Sequence, residues 1–253
     1  MGAIKSYLNA SSSLWYAYLA CLPLFVLYEL LMWIGRLNAP ETADIRLTAE
    51  LWVQQLLFCI HHNTLLLSLL VILLLGGIIW YLEGGRRPML RLRWFLMMIL
   101  EAAFWAGVLA VLVTGLLGFL WYAGAQIIPG MAALAAAEGV SSIYELSFIQ
   151  RMALSLGAGL YEELVFRVLL VFGLFYGLNY FMKEHRAQIS AILIAAFLFS
   201  LVHYIGPFGD AFTLYSFLFR MIFGLALNAL LLIRGFGITA WTHALYDIFV
   251  LAF

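Results

Sequence analysis

The chain has 253 residues, of which 66% are hydrophobic and only 10% are charged. Because a soluble domain carries roughly 25% charged residues, this composition excludes an ordinary soluble globular protein and indicates an integral membrane protein. Thirteen basic residues balance thirteen acidic ones, so the charge gives no argument for an acidic partner, and we expect no nucleic-acid binding. Cys21 and Cys59 are too few and too isolated to predict a disulfide framework or a zinc knuckle.

Seven apolar runs are long enough to cross a bilayer at about 20 residues per crossing. The predicted fold is therefore all-α, a polytopic membrane bundle of about seven, and from six to eight, transmembrane helices. The fourth run is too long for one perpendicular helix, and Gly157 with Gly159 predicts a break or kink within it. Residues 51–60 are compatible with an interfacial helix or with an extension of the second span. The seven runs cover residues 14–34, 64–82, 94–123, 147–181, 188–205, 211–233 and 237–253.

The distribution of basic residues predicts the orientation of the bundle. Residues 83–93, residues 183–186 and the turn at Arg234 are basic, whereas residues 124–145 and 206–210 contain neither Lys nor Arg. Alternating the seven spans places the basic connections on one side, which the positive-inside rule assigns to the cytoplasm. We therefore expect a cytoplasmic N-terminus in a prokaryotic cytoplasmic (inner) membrane.

The heptapeptide from Tyr161 to Arg167, Tyr-Glu-Glu-Leu-Val-Phe-Arg, places three charges inside an apolar run. A charge at bilayer depth costs roughly 2.5–3.5 kcal/mol on insertion scales, so such residues are rare unless they have a use. On an α-helix Glu163 and Arg167 share a face and can pair. Glu162 is turned by about 100° from Glu163 and is free to face another partner, which makes it a candidate general base.

Two later spans carry polar residues at i, i+4 spacing. Phe199 precedes His203 at the end of the fifth span, and His243 precedes Asp247 in the last one. Residues four apart lie on one face of a helix, so Asp247 can orient His243. If the three helices pack together, their carboxylates and imidazoles converge, and this set of groups suits water activation and stabilisation of an oxyanion.

The three motifs together resemble the family of intramembrane proteases called CAAX prenyl proteases and bacteriocin-processing enzymes, or the Abi domain. The family pattern is Glu-Glu-x-x-x-Arg, then Phe-x-x-x-His, then His-x-x-x-Asn or Asp, on successive membrane helices. The resemblance covers about residues 148–253. We therefore divide the chain into N-terminal helices without a specific motif, residues 1–146, and a catalytic core, residues 147–253. The pattern reads here as Glu162-Glu163 with Arg167, Phe199 with His203, and His243 with Asp247.

The resemblance implies a glutamate-type endopeptidase that uses no cofactor and acts on a peptide or lipidated peptide at the bilayer. By analogy, Glu162 and His203 activate a water, and His243 with Asp247 stabilises the oxyanion. Glu163 and Arg167 form a supporting ion pair, and a second possible role for Arg167 is to bind a substrate carboxylate. Phe199 supports the site as part of the second motif.

Asp247 departs from the family pattern, because the prenyl proteases typically have Asn at this position. An ionised carboxylate would repel an oxyanion. Asp247 is therefore either protonated in a buried setting, or it accepts a proton from His243 and orients that ring. We favour the second role.

Two alternative functions remain open. A zinc protease would ligate the metal with His203, His243 and either Glu162 or Asp247, since catalytic zinc usually has three protein ligands and a water. The second alternative is a non-enzymatic transporter or immunity-type scaffold, because proton-coupled carriers also place Glu and His at mid-membrane. We expect the other charged residues within the apolar runs to form structural ion pairs or to extend their charged ends to the membrane surface. For Glu29 and Glu101, a second possibility is that they contact and support the catalytic residues. These charges are Glu29, Glu101, Arg151 and Arg220.

Overall fold

The structure is a computed structural model that describes residues 2–38, 45–127, 146–206 and 209–252. These described residues are almost entirely helical and form no strand, which confirms the all-α prediction. The helices are α1 (Ala3–Ser11), α2 (Leu14–Asn38), α3 (Thr48–Phe58), α4 (Thr64–Glu83), α5 (Leu92–Ile127), α6 (Phe148–Gly157), α7 (Val171–Asn179), α8 (Glu184–Val202), α9 (Leu214–Arg234) and α10 (Phe236–Ala252), with a π-helical segment (Ala158–Leu170) joining α6 to α7.

Among the described residues, five helices are long and apolar enough to cross a membrane: Leu14–Asn38, Thr64–Arg86, Leu92–Gly124, Glu184–Val202 and Leu214–Arg234. The other two predicted spans correspond to the run from α6 through the π-helical segment to α7, and to α10. The first changes helix type twice, so none of its three parts reaches 18 residues, and α10 has 17 residues. The chain is thus an integral membrane protein, and five helices among its described residues meet the length and apolarity of a membrane span.

Helix α5 shows how the bundle separates its core from its outer surface. Its buried residues recur every three or four positions, as in Met98, Ala102 and Ala106, which are at most 1% exposed. Leu100 and Val111 on the opposite face are 70% and 72% exposed. In water such a face would carry a large hydrophobic cost, whereas lipid tails are as apolar as leucine. The exposed faces of these helices therefore contact the bilayer.

Helix α3 resolves the alternative left open for residues 51–60, because it is a separate helix rather than an extension of α4. Asn63 caps α4, with its Oδ1 accepting a hydrogen bond from the backbone N–H of Leu66 at 3.0 Å. On the other side, α3 packs against the π-helical segment through Trp52 and Phe166, whose ring centroids are 6.1 Å apart. Its Glu50 is fully buried and accepts a hydrogen bond from the hydroxyl of Tyr28.

Two glycines allow the run from α6 to α7 to lie close to its neighbours. A Cβ on Gly157 would come within 2.7 Å of the Tyr28 ring, and one on Gly159 within 2.7 Å of the Ala244 Cβ. Real side chains do not tolerate such distances, so glycine is required for this packing. The predicted break is found here as a change from α- to π-helical hydrogen bonding at Ala158, with the helix continuing.

Glu101 has the structural role that we expected for most of the remaining charges. It forms an ion pair with Arg234 and accepts a hydrogen bond from the Tyr7 hydroxyl at 2.6 Å. The Arg234 guanidinium also donates to Ser11 at 2.9 Å. This network joins α1, α5 and the end of α9.

Candidate active site

The π-helical segment supplies the two glutamates and the arginine of the first motif. All three are buried, with residue exposures of 7% for Glu162, 0% for Glu163 and 1% for Arg167. A π-helix has i→i+5 hydrogen bonds and hence more residues per turn than an α-helix, so adjacent side chains diverge by a smaller angle. Both glutamates approach His243 on α10, Glu163 at Nδ1 and Glu162 at Nε2. As predicted, Glu163 also pairs with Arg167, and Glu162 faces a different partner, His203.

His203 caps the C-terminus of α8 and faces Glu162. Its Nδ1 lies 2.7 Å from the backbone carbonyl oxygen of Phe199. Because a carbonyl oxygen only accepts, Nδ1 carries the proton, and Nε2 of the neutral ring is an acceptor. This Nε2 lies 3.8 Å from Oε2 of Glu162. The first two motifs thus meet through a carboxylate and an imidazole nitrogen able to accept a proton.

His243, on α10, lies between the two glutamates. Its Nδ1 donates to Oε1 of Glu163 at 2.7 Å. Its Nε2 lies 3.9 Å from Oε2 of Glu162 and 3.6 Å from Oδ2 of Asp247. The ring is 3% exposed, so a single imidazole joins the π-helical segment to α10 in a nearly closed environment.

The structure keeps Asp247 near His243, as the spacing predicted, and adds Glu163 as a second and closer partner of the ring. The short hydrogen bond that fixes the ring comes from Glu163, and Asp247 faces the opposite nitrogen at a longer distance. Glu163 reaches His243 from the π-helical segment while it also pairs with Arg167. The i, i+4 spacing of His243 and Asp247 could not show this contact, because Glu163 comes from a different part of the chain.

Arg167 and Phe199 pack beside the glutamates and histidines of the site. Nε of Arg167 lies 3.2 Å from Oε2 of Glu163, as expected for the predicted ion pair. The guanidinium stacks over the Phe199 ring at 4.1 Å from its centroid, a favourable cation–π arrangement. Phe199 in turn contacts the rings of His203 and His243, with centroids 5.0 and 6.0 Å away.

The structure thus brings all of the predicted site residues together from three parts of the chain. They are Glu162, Glu163 and Arg167 on the π-helical segment, Phe199 and His203 at the end of α8, and His243 and Asp247 on α10. Glu162 is within 3.9 Å of the Nε2 atoms of both histidines. These separations exceed a direct hydrogen bond and suit polar groups that share a water or a substrate atom.

Across the described parts of the chain, no group of three or more His, Cys, Asp or Glu is arranged to hold a metal ion. In the zinc alternative, the metal ligands would come from Glu162, His203, His243 and Asp247. Cleavage measured with and without a zinc chelator tests this alternative directly.

A further network of hydrogen bonds lies next to His203, and the sequence analysis did not connect it with the site. Arg220 on α9 forms an ion pair with Asp210, and it donates a hydrogen bond to the Tyr204 hydroxyl at 2.7 Å. Tyr204 follows His203 directly in the chain. The charge of Arg220 inside an apolar run could have indicated a buried polar network. Its partner Asp210, however, lies in a connection between helices whose path the sequence does not define.

A model of the Rce1-like family, described as type II CAAX prenyl endopeptidase, matches residues 144–249. No curated protein and no solved structure matches the chain significantly. The matched range contains all seven predicted site residues, so it agrees with the resemblance inferred from the three motifs. Residues 144–249 therefore match an Rce1-like domain, described as a type II CAAX prenyl endopeptidase.

Proposed function

We propose that this chain is an intramembrane endopeptidase in which Glu162 and His203 activate a water for attack on a peptide bond. Family membership supports a CAAX-type endopeptidase in general. The observation that carries the detailed proposal is the position of the Glu162 carboxylate, 3.8 Å from Nε2 of His203 and 3.9 Å from Nε2 of His243. A carboxylate and two imidazoles around one point form a suitable arrangement for general acid–base hydrolysis.

In this mechanism a water lies between Glu162 and Nε2 of His203. One of these groups takes a proton from the water as its oxygen attacks the scissile carbonyl carbon. The carbonyl oxygen becomes an oxyanion, and the same proton then passes to the leaving amine as the C–N bond breaks. Burial supports this role, because a water-poor site strengthens each electrostatic interaction with the developing charge.

His243 is suited to stabilise the oxyanion through Nε2. The Glu163 carboxylate at Nδ1 stabilises a positively charged ring, and the charged ring has a second N–H at Nε2 to donate. In this proposal Arg167 balances the charge of Glu163. The carboxylate, imidazole and guanidinium then form one buried row behind the oxyanion site.

Asp247 faces the nitrogen that has to donate to the oxyanion, at 3.6 Å. Since Glu163 already orients the ring, we assign Asp247 the other role considered for it, that of a protonated second donor. A neutral carboxylic acid donates one hydrogen bond, as the amide of Asn does.

The proposed substrate is a peptide or a lipidated peptide that reaches the site through the membrane. The family name specifies prenylated CAAX substrates, and the apolar outer faces of the helices support a site that lies within the bilayer.

The proposal is tested by cleavage of a quenched library of free and prenylated peptides in liposomes. The wild type is compared with Glu162→Gln and His203→Ala, with and without a strong zinc chelator. Glu184→Gln is the matched control, since Glu184 is exposed in the first turn of α8. Turnover should survive the chelator and the control substitution, and it should fall by about 10²–10⁴-fold in both site variants.

Each other outcome has a defined meaning. Turnover that the chelator abolishes and zinc restores would replace the metal-free mechanism by the zinc protease. Cleavage that persists in Glu162→Gln would contradict the role of this carboxylate. If the wild type cleaves no peptide and Glu162→Gln retains full function in cells, the enzyme proposal is wrong.

A further inference from the structure

The described residues that follow His203, 204–206 and 209–210, form a turn that is hydrogen-bonded back to it. Helix α8 ends at His203, and the backbone N–H of Asp210 donates to the carbonyl oxygen of His203 at 2.8 Å. Gly206 has a φ of +101°, and a Cβ on Gly209 would lie 2.8 Å from the backbone carbon of Tyr204. The turn therefore needs glycine at both positions, and the amide of Asp210 connects its end to His203.

Arg220 holds this turn from α9. One terminal nitrogen of its guanidinium pairs with the Asp210 carboxylate, and the other donates to the Tyr204 hydroxyl at 2.7 Å. The Tyr204 hydroxyl is also 2.6 Å from Oγ of Ser216, one turn earlier on α9. A planar guanidinium with a rigid set of donors can make both contacts at once, which an ammonium group on a flexible stem does less well.

We propose that Arg220 is a positioning residue for His203. By binding Asp210 and Tyr204, it fixes both ends of the turn that follows His203, and so sets the position of Nε2 relative to Glu162. The inference rests on the proposed function, because it assigns a purpose to that distance. Arg220 lies outside the three motifs, and its hydrogen bonds to Tyr204 and Asp210 connect it to the residues that follow His203.

The exposure of this ion pair argues against a purely stabilising role. The side chains of Arg220 and Asp210 are each 24% exposed, and ion pairs open to their surroundings contribute little to folding stability. Catalysis is far more sensitive to geometry, because a displacement of about 1 Å can lower a rate by about 10²-fold. Loss of Arg220 should therefore affect turnover more than folding.

A simple electrostatic role is the main competing explanation. The charge of Arg220 also acts on Glu162, His203 and Asp247. Arg220→Lys separates the two roles, since it keeps the charge but cannot hold Asp210 and Tyr204 together. Positioning predicts a clear loss in Arg220→Lys, whereas a charge effect alone predicts activity close to that of the wild type.

The test compares kcat and KM for Arg220→Lys, Arg220→Met, Asp210→Asn and the exchanged pair Asp210→Arg/Arg220→Asp. Arg186→Met is the control, because Arg186 is an exposed residue at the start of α8. We expect kcat to fall by about 10- to 100-fold in the Met and Asn variants with KM nearly unchanged. The exchanged pair should recover part of the loss. Activity of Arg220→Met and Asp210→Asn equal to that of the wild type would overturn the proposal.

A second measurement does not depend on peptidase activity. In protein labelled with ¹⁵N-histidine, the His203 resonances are assigned by their loss in His203→Ala. Arg220→Lys keeps the charge, and if Arg220 positions the ring, this variant should shift the Nδ1 and Nε2 resonances of His203, while those of His243 stay in place. Unchanged His203 resonances would contradict positioning even if the peptidase proposal holds. If the His203 resonances shift but the wild type cleaves no peptide, the result would support the positioning role of Arg220 and would count only against the proposed function.

Discussion

At the scale of single residues, Glu163 serves two partners with one carboxylate. Oε1 accepts from Nδ1 of His243, and Oε2 lies 3.2 Å from Nε of Arg167. Glu163 is fully buried and Arg167 is 1% exposed. A buried charge that loses its partner costs far more than the pair contributes. The two residues should therefore behave as a unit in mutagenesis.

Glu163→Gln should destabilise the protein strongly, because it leaves the Arg167 charge buried without a counter-ion. We expect a loss of about 3–5 kcal/mol in the free energy of unfolding, measured by reversible unfolding in detergent. Glu163→Gln/Arg167→Met should be less destabilised than Glu163→Gln alone. Strictly additive effects in the double-mutant cycle would show that the two side chains are not coupled.

Asp247 gives a second prediction at this scale. Asp247→Asn keeps a neutral donor beside His243, so kcat/KM should stay within about tenfold of the wild type. Asp247→Leu removes the donor at similar volume and should lower kcat by about 10²–10³-fold, as for other oxyanion donors. Loss of activity in Asp247→Asn as severe as in Asp247→Leu would show instead that the carboxylate acts in its ionised form.

At the scale of elements, the π-helical segment determines how the site is assembled. It brings two adjacent glutamates to the same imidazole, and its close approach to α10 depends on Gly159. Sequence analysis identified the glycines, the charges and the place where the helix changes. It considered partners of His243 on the same helix, however, and so assigned the orientation of the ring to Asp247 and did not find Glu163. Residue spacing cannot reveal a π-helical segment when tertiary packing selects it.

Two glycines in the same helical run provide a matched pair for a third prediction. Gly159→Ala should push α10 away from the π-helical segment, destabilise the protein by about 1–3 kcal/mol and lower kcat. Gly177→Ala should be neutral or slightly stabilising, because a Cβ there meets nothing within 4 Å and alanine favours the helix. Unfolding and cleavage are measured on both variants. Equal behaviour would show that close packing at Gly159 is not required.

At the scale of the whole molecule, contacts between distant parts of the chain hold the bundle together. Nε1 of Trp241 on α10 donates to the carbonyl oxygen of Ala20 on α2 at 2.7 Å, and Arg234 donates to Ser11. Composition and hydropathy were sufficient to predict a membrane bundle and the three helices of the site. These pairings between N- and C-terminal helices could not be predicted, since periodicity within one helix does not specify its neighbour.

The orientation of the bundle yields a fourth prediction, for which the native cysteines suffice. Cys59 is exposed in the connection between α3 and α4, and Cys21 is buried. With a cytoplasmic N-terminus, Cys59 lies on the outer side. A membrane-impermeant maleimide should therefore label intact cells or spheroplasts, and Cys59→Ser should abolish the signal. Labelling that occurs only in inverted vesicles would reverse the predicted orientation.

The order of the site residues along the chain has a consequence for biosynthesis. His243 and Asp247 belong to α10, which leaves the ribosome after every other part of the site has been made. Until α10 inserts beside Gly159, Glu163 has no imidazole to hold and the proposed oxyanion donors are missing. If the proposed mechanism holds, a partly synthesised chain therefore lacks part of the hydrolytic centre, and its own unfinished helices are protected from cleavage during insertion.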